Sequence, residues 1–543
     1  MEFTFKHMLI REVAYSTVPR STRRERHAAI ARYVEQAIQG SGETLAGVLA
    51  HHWQEAGEDA RAIPYLLEAA EAAFRGWAQG AVDDLYAKAI DLAKDQTLRL
   101  QIRLKRGIAL VRLGEYELAT SELSALAAEL EGEDRLQALL AWGRATLWRE
   151  RDVETIQIAQ QALALAQELR AENAKPPALA LLSQAHAMRG MAGDLDRAVD
   201  LGERALATWS PGRHEYDRAE HLHLHADTAY WTGRYERCAE LARSARSLSA
   251  DVHSAEGLLR GGGIEALALV ALGRHEEAIR IWDEMFTLAK ELGANRRVIL
   301  NYSSIAYREL LDIEEARRRS EEALELSADE SFGMPRRFAQ SDLLFTDLLT
   351  ADVGRAQTAW PKLWDDAGSA TGWTKWLIYG RLAAARAEIA LRAEAPDSAV
   401  EWAHRSLKIA RRTRRRKYEA RSLAILGQAL ILCGRHATAL KELEAGGVVA
   451  DSLVGPPARW DARAALARAA YAVGNDELAD TAHSEAVALV ESFASTLSPG
   501  RREAFRRAVS IRDALSSAES TANHFRRRLL LQTDDLVSPL SHT

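Results

Sequence analysis

Apolar residues return at steps of three and four along most of this chain, the spacing that lays them on one face of a helix. Between residues 276 and 292 the apolar set is Ile279, Trp282, Met285, Phe286, Ala289 and Leu292. That predicts the second helix of a pair, with residues 264–272 ending the first. Gly273 stands between them, where a left-handed turn costs other residues more. Ala278, five places after the glycine, is small enough to let the two helices approach closely.

The same signature recurs at an interval of roughly 40 residues. It reads Gly, a large residue two places on, and a small residue five places on. Copies are Gly114-Tyr116-Ala119, Gly193-Leu195-Ala198, Gly273-His275-Ala278, Gly434-His436-Ala439 and Gly474-Asp476-Ala479, with Gly233-Tyr235-Cys238 a close variant. Weaker copies fall at Gly76/Ala81, Arg151/Ile156, Leu311/Ala316, Gly354/Ala359 and Glu394/Ala399. Helix, short turn, helix, repeated in this way, predicts an all-α, tetratricopeptide-like solenoid: a right-handed superhelix of about ten to twelve hairpins, each longer than the 34-residue standard. Each repeat is expected to bury its apolar face against its neighbours alone.

The ends are less regular. Residues 45–56, 60–75 and 78–93 predict three successive helices. The pairs Lys175-Pro176-Pro177 and Gly455-Pro456-Pro457, and the stretch 330–336, should break helices and lie in loops between repeats. Ser498-Pro499 can open a closing helix. The expected organisation is a separate segment at 1–42, a solenoid at 43–495, a capping helix at 496–515 and a mostly disordered tail at 516–543.

Composition agrees and narrows the class. Only 12 Pro and 33 Gly occur in 543 residues, against a formal net charge of −6. The mild charge argues against a general pull to nucleic acid or anionic membrane. No apolar run approaches the ~18–20 residues of a membrane helix. Two cysteines, Cys238 and Cys433, exclude a disulfide framework, so the expected setting is the reduced cytoplasm.

The opening residues do not follow the repeat. Phe3-Thr4-Phe5-Lys6-His7-Met8-Leu9-Ile10-Arg11-Glu12-Val13-Ala14-Tyr15, then Arg23, His27 and Ile30-Ala31, resemble the end of the winged-helix subdomain of bacterial STAND-type signalling ATPases. These are attached to class III adenylate or guanylate cyclases, or to LuxR-type regulators. Leu49-Ala50-His51-His52-Trp53, Ala56-Gly57 and Ala62-Ile63-Pro64-Tyr65 are similar to the junction that follows there. Leu497-Ser498-Pro499 and Arg501-Arg502-Glu503-Ala504-Phe505 are similar to their closing segment. The resemblance implies a winged-helix remnant followed by the regulatory arm of such an ATPase. It also implies that His7 would sense nucleotide in an intact relative. No G-x-x-x-x-G-K-[ST] occurs, so no phosphate loop is present to serve it.

The expected function is therefore non-catalytic: a scaffold receiving a protein segment or small effector on its concave face, with no cofactor and no metal. Two alternatives follow from the resemblance. One is part of a split or truncated ATP-binding cyclase; the other is a LuxR-type regulator lacking its DNA-reading domain. Candidate contact residues are the basic run Arg411, Arg412, Arg414, Arg415, Arg416 and Lys417, expected as a solvated patch where one repeat hands over to the next. Trp373 and Trp376 beside Gly368 and Gly372 are either core or an exposed aromatic anchor. In His221-Leu222-His223-Leu224-His225 only His221 and His225 share a helix face, too few for a metal. His51-His52, adjacent on a helix, are not expected to face one ion.

Overall fold

The computed structural model describes residues 13, 15–38, 45–75, 79–327, 334–350, 353–453 and 455–516. His7, Gly76, the other residues of the opening segment 1–42 outside these ranges, and the tail from 517 lie outside the described residues. Among those described there are helices and turns but no strand, and the helices come as successive antiparallel hairpins. The architecture is the all-α, tetratricopeptide-like solenoid that the repeat predicts. No helix among the described residues is long and apolar enough to cross a membrane.

The chain divides into two compact units, Met1–Arg149 with Gln161–Arg170, and Glu150–Gln160 with Ala171–Thr543. The first unit contains α1 (Arg20–Ile38), α2 (Ala46–Ala56), α3 (Asp59–Arg75), α4 (Val82–Leu92), α5 (Gln96–Leu113), α6 (Tyr116–Glu129) and α7 (Gly132–Trp148); the division runs through α8 (Asp152–Glu168). Leu49 and Trp53 on α2 are buried with Ala31 of α1 and Ala62 of α3, which locks the first three helices together. Burying one such large apolar side chain contributes about 1.5–3 kcal/mol.

The second unit continues with α9 (Lys175–Arg189), α10 (Asp194–Thr208), α11 (Glu215–Trp231), α12 (Tyr235–Asp251), α13 (Ala255–Ala271), α14 (His275–Glu291), α15 (Arg297–Glu309), α16 (Ile313–Glu325), α17 (Met334–Asp347) and α18 (Gly354–Ser369). After a π turn at Thr374–Ile378 come α19 (Tyr379–Arg392), α20 (Pro396–Arg412), α21 (Arg416–Leu432), α22 (His436–Asp451), α23 (Pro456–Ala472), α24 (Asp476–Ser495), α25 (Pro499–Arg507) and α26 (Val509–Leu515). Each helix packs on the next in sequence, and the first helices α9, α11, α13, α15 and α17 also pack side by side, as do α19, α21 and α23.

The turn signature has a direct structural meaning. Gly273 has φ +80°, and Gly114, Gly193, Gly233, Gly434 and Gly474 lie in the same left-handed region. The small residues five places on, Ala119, Ala198, Cys238, Ala278, Ala439 and Ala479, are all fully buried. Two weak copies keep this geometry without glycine: Leu311 and Glu394 also take positive φ, and Ala316 and Ala399 are fully buried. Two others are out of register. The left-handed residue is Glu150 rather than Arg151, with buried Thr155 in the small position, and Ala356 rather than Ala359 is buried beyond Gly354.

The prolines also need correction. Pro176 and Pro456 open α9 and α23, and Pro335 lies in the first turn of α17. Their missing N–H falls where a helix has no internal acceptor for it, so they start helices instead of sitting in loops.

Nor do the repeats of the second unit bury their faces on neighbours alone. Phe493 of α24 meets His275 at the start of α14 with ring centroids 4.6 Å apart, and stacks obliquely on Phe505 of α25 at 5.0 Å. Trp460, Phe505 and Ile511 share one buried cluster with Leu222, Trp282 and Ile305. The last helices thus pack on hairpins distant in sequence, and the unit closes on itself around its inner layer.

Candidate anion-binding cavity

The inner layer of the second unit encloses a cavity with about 760 Å³ of empty space, part of it open to solvent. It is walled by the ends of first helices: Tyr230 and Trp231 of α11, Arg308 and Glu309 of α15, Phe345 of α17, Arg381 of α19, and Lys417, Tyr418 and Arg421 of α21. Arg415 enters from the turn before α21. Of this, about 60 Å³ is room that a water-sized group can occupy, enough for a few waters or one small anionic group.

Arg381 and Arg415 are the decisive side chains, each almost fully buried. Arg381 gives Nη2 to Asp342 at 2.6 Å, but its Nε and Nη1 have no hydrogen-bond partner. Arg415 donates Nη1 to the Leu377 carbonyl at 3.1 Å; its Nε and Nη2 make no hydrogen bond of good geometry, and the nearby Tyr418 side chain helps to hold its charge. Its guanidinium lies 3.9 Å from the Tyr418 ring centroid, 5.3 Å from Trp231 and 5.8 Å from Trp376. Two residues that line one cavity thus hold four guanidinium nitrogens buried without a hydrogen bond, although unpaired buried donors are costly.

The electrostatics point the same way. Five cationic side chains line the space. Lys417 is paired with Glu309, Arg421 with Glu388, and Arg308 shares Asp342 with Arg381 at 3.1 Å. Arg415 has no carboxylate. Burial brings its guanidinium down to about 10, still charged at neutral pH. Burial pushes the Tyr418 phenol up, but Arg381, Arg415, Lys417 and Arg308 outweigh it and draw it down to about 8. A tyrosine held so far below its usual value reports a strongly positive local field.

The π turn sets up this geometry. Its wider coil presents the Leu377 carbonyl to Arg415. The segment is pinned by Glu150, whose carboxylate accepts from the Thr374 N–H at 2.8 Å and its hydroxyl at 2.9 Å. Trp376 adds a bond from Nε1 to the Met188 carbonyl at 2.9 Å. Trp376 packs directly on Gly190, where a Cβ would come within 2.3 Å of the indole.

These positions revise the candidate residues. Trp376 is buried packing, not an exposed anchor, and Trp373 is half-buried beside it. The basic run is not one solvated patch. Arg412 is exposed, Arg411 and Arg416 bind Glu419 at 3.0 Å each, and Arg414 reaches Asp196 at 3.2 Å. Only Arg415 and Lys417 enter the cavity, joined there by Arg308, Arg381 and Arg421 from other repeats.

The histidines also separate. His221, His223 and His225 are all buried; His221 contacts Gln184 and the Gly202 carbonyl, and His225 bonds Glu203. His51 and His52 instead converge with His27, one ring nitrogen of each lying within 4.8 Å of the others. Adjacency on α2 does not prevent this, because the two rings bracket a side chain presented by α1.

No family model matches the sequence, and no curated protein matches it either. Among solved structures, the chain is similar to the Rap protein complexed with competence and sporulation factor, at 13% identity, TM-score 0.39, covering 73% of this chain and 99% of that one. The APC/C hetero-tetramer Cut9–Hcn1 follows at 15% identity and TM-score 0.36, covering 92% and 98%. Yeast Tom70 gives 13% and 0.33, covering 95% and 99%. Likeness at this level carries no function across. The class that the hairpins define is the tetratricopeptide-like helical repeat.

Proposed function

We propose that this chain is an interaction scaffold whose inner cavity receives an anionic group, a carboxylate or phosphate, carried by a small effector or by the end of a protein segment. The observation that carries this reading is the pair Arg381 and Arg415, two buried guanidinium groups that line one cavity and keep four nitrogens without a hydrogen bond. An anion there would satisfy those donors by charge-assisted bonds, and the surrounding Tyr230, Trp231 and Tyr418 would cover an apolar or planar body. Filling an inner-layer cavity touched by five first helices would tie their positions together, which is how such a scaffold becomes effector-sensing. The resemblance of residues 3–31 to signalling ATPases supports placing this scaffold as a regulatory arm of such a protein.

The test is calorimetric titration with citrate and pyrophosphate as probe anions. One site per chain is expected, weakening with salt, and lost in Arg415→Met. Equal binding by wild type and Arg415→Met, or no binding of either probe, would refute the cavity as an anion site.

A further inference from the structure

His27, His51 and His52 form a three-imidazole arrangement between α1 and α2 of the first unit. The ring centroids of His27 and His52 are 5.0 Å apart, those of His51 and His52 5.3 Å, and those of His27 and His51 5.8 Å. His27 is 9% exposed, His52 half-buried and His51 exposed, so the group is reachable from solvent on one side. The Nδ1 atoms of His27 and His52 face each other at 2.7 Å. Two lone pairs cannot share that space unless a proton sits between them.

Behind His27 runs a chain of hydrogen-bonding groups. His27 Nε2 lies 2.8 Å from the Tyr15 hydroxyl, and that hydroxyl lies 3.4 Å from Glu55 Oε2. If Tyr15 donates to Glu55, it accepts from His27 Nε2–H, which leaves the His27 Nδ1 lone pair facing His52. This carboxylate–hydroxyl–imidazole relay is the pattern that fixes the tautomer of a metal-bound histidine. Burial holds both His27 and His52 below the usual imidazole range.

We infer that His27, His51 and His52 are ligands for a divalent late transition metal of the zinc class, which takes the place of the proton shared by the two Nδ1 atoms, that proton passing through solvent to His52 Nε2. Imidazole is a preferred donor for such ions, and three protein nitrogens leave a fourth position for water or a partner's side chain. At metal–nitrogen distances of ~2.0–2.1 Å, ligand nitrogens stand about 3.3 Å apart in a tetrahedral site. The 2.7 Å pair then has to open slightly, a movement available to the half-buried His52 ring.

Chelator-treated full-length chain is titrated with Zn²⁺ calorimetrically, and with Co²⁺ followed by visible absorption. One equivalent is expected to bind, with Co²⁺ giving the intense bands of a four- or five-coordinate nitrogen site. His51→Ala, on an exposed position that spares the fold, should weaken Zn²⁺ binding at least roughly tenfold, and His27→Gln likewise. Tyr15→Phe, acting only through His27, should weaken it less than either. Absence of stoichiometric binding, or an affinity unchanged in both His51→Ala and His27→Gln, overturns the assignment.

Discussion

Two groups of three histidines sit in this chain, and they teach opposite lessons. His221, His223 and His225 are close in sequence, yet the helix sends His223 to a different side from the other two. All three end up buried, with His221 and His225 stacked at a centroid distance of 5.3 Å and held by Gln184, the Gly202 carbonyl and Glu203. His27 is 24 positions from His51, yet α1 and α2 bring it to both His51 and His52. Spacing along one helix supplies at most two convergent ligands, and a third comes from a neighbouring helix. The first group stabilises a core; the second is reachable from solvent through His51 and His52.

Breaking this contrast gives predictions of decreasing size. His221→Ala should destabilise the chain by about 2–4 kcal/mol in urea unfolding, since it opens a cavity and strands Gln184. A loss below about 0.5 kcal/mol would show that His221 is not the packed group described here. That difference should itself depend on pH. Burial, then the neighbouring His225, holds His221 down to about 3. Its unfolded value is near 6.5, so the folded state takes up fewer protons between these limits. The stability it contributes is complete above about 6.5 and drains away as pH falls. Wild type should therefore lose about 1 kcal/mol relative to His221→Ala between pH 7 and 5.5. A pH-independent difference would mean that this imidazole titrates normally. Smallest of all, His51→Ala should shift metal-free stability by no more than about 0.5 kcal/mol, because its side chain is exposed. A larger loss would make the outward cluster structural too.

Much of the fold was legible because the determinants are local. A turn glycine with positive φ and a buried alanine five places on both leave their mark in sequence, and even Leu311 and Glu394 could be placed by spacing. The copy at Arg151 slipped by one and that at Gly354 by three, because there the local residues give no sharp punctuation. The closing of Phe493 and Phe505 onto His275 could not be read, since nothing local encodes which distant repeat will cover them. The cavity was half legible. The basic run flagged Arg415 and Lys417, but the left-handed Arg414 (φ +53°) that divides them from Arg411 and Arg412 has no sequence signal. Arg308 and Arg381, on other repeats, look like ordinary helix-surface charges until the first helices are set side by side.

The reading of the cavity turns on whether Arg415 is held without a carboxylate partner for the sake of a ligand. Matched melting curves of wild type and Arg415→Met, with and without pyrophosphate, address this most directly. The variant should melt higher in anion-free buffer, because an apolar side chain removes an unpaired buried charge, a change worth about 1–4 kcal/mol. Pyrophosphate should raise the wild-type transition alone. A variant that melts lower than wild type in anion-free buffer, with both proteins gaining equally from pyrophosphate, would contradict the account.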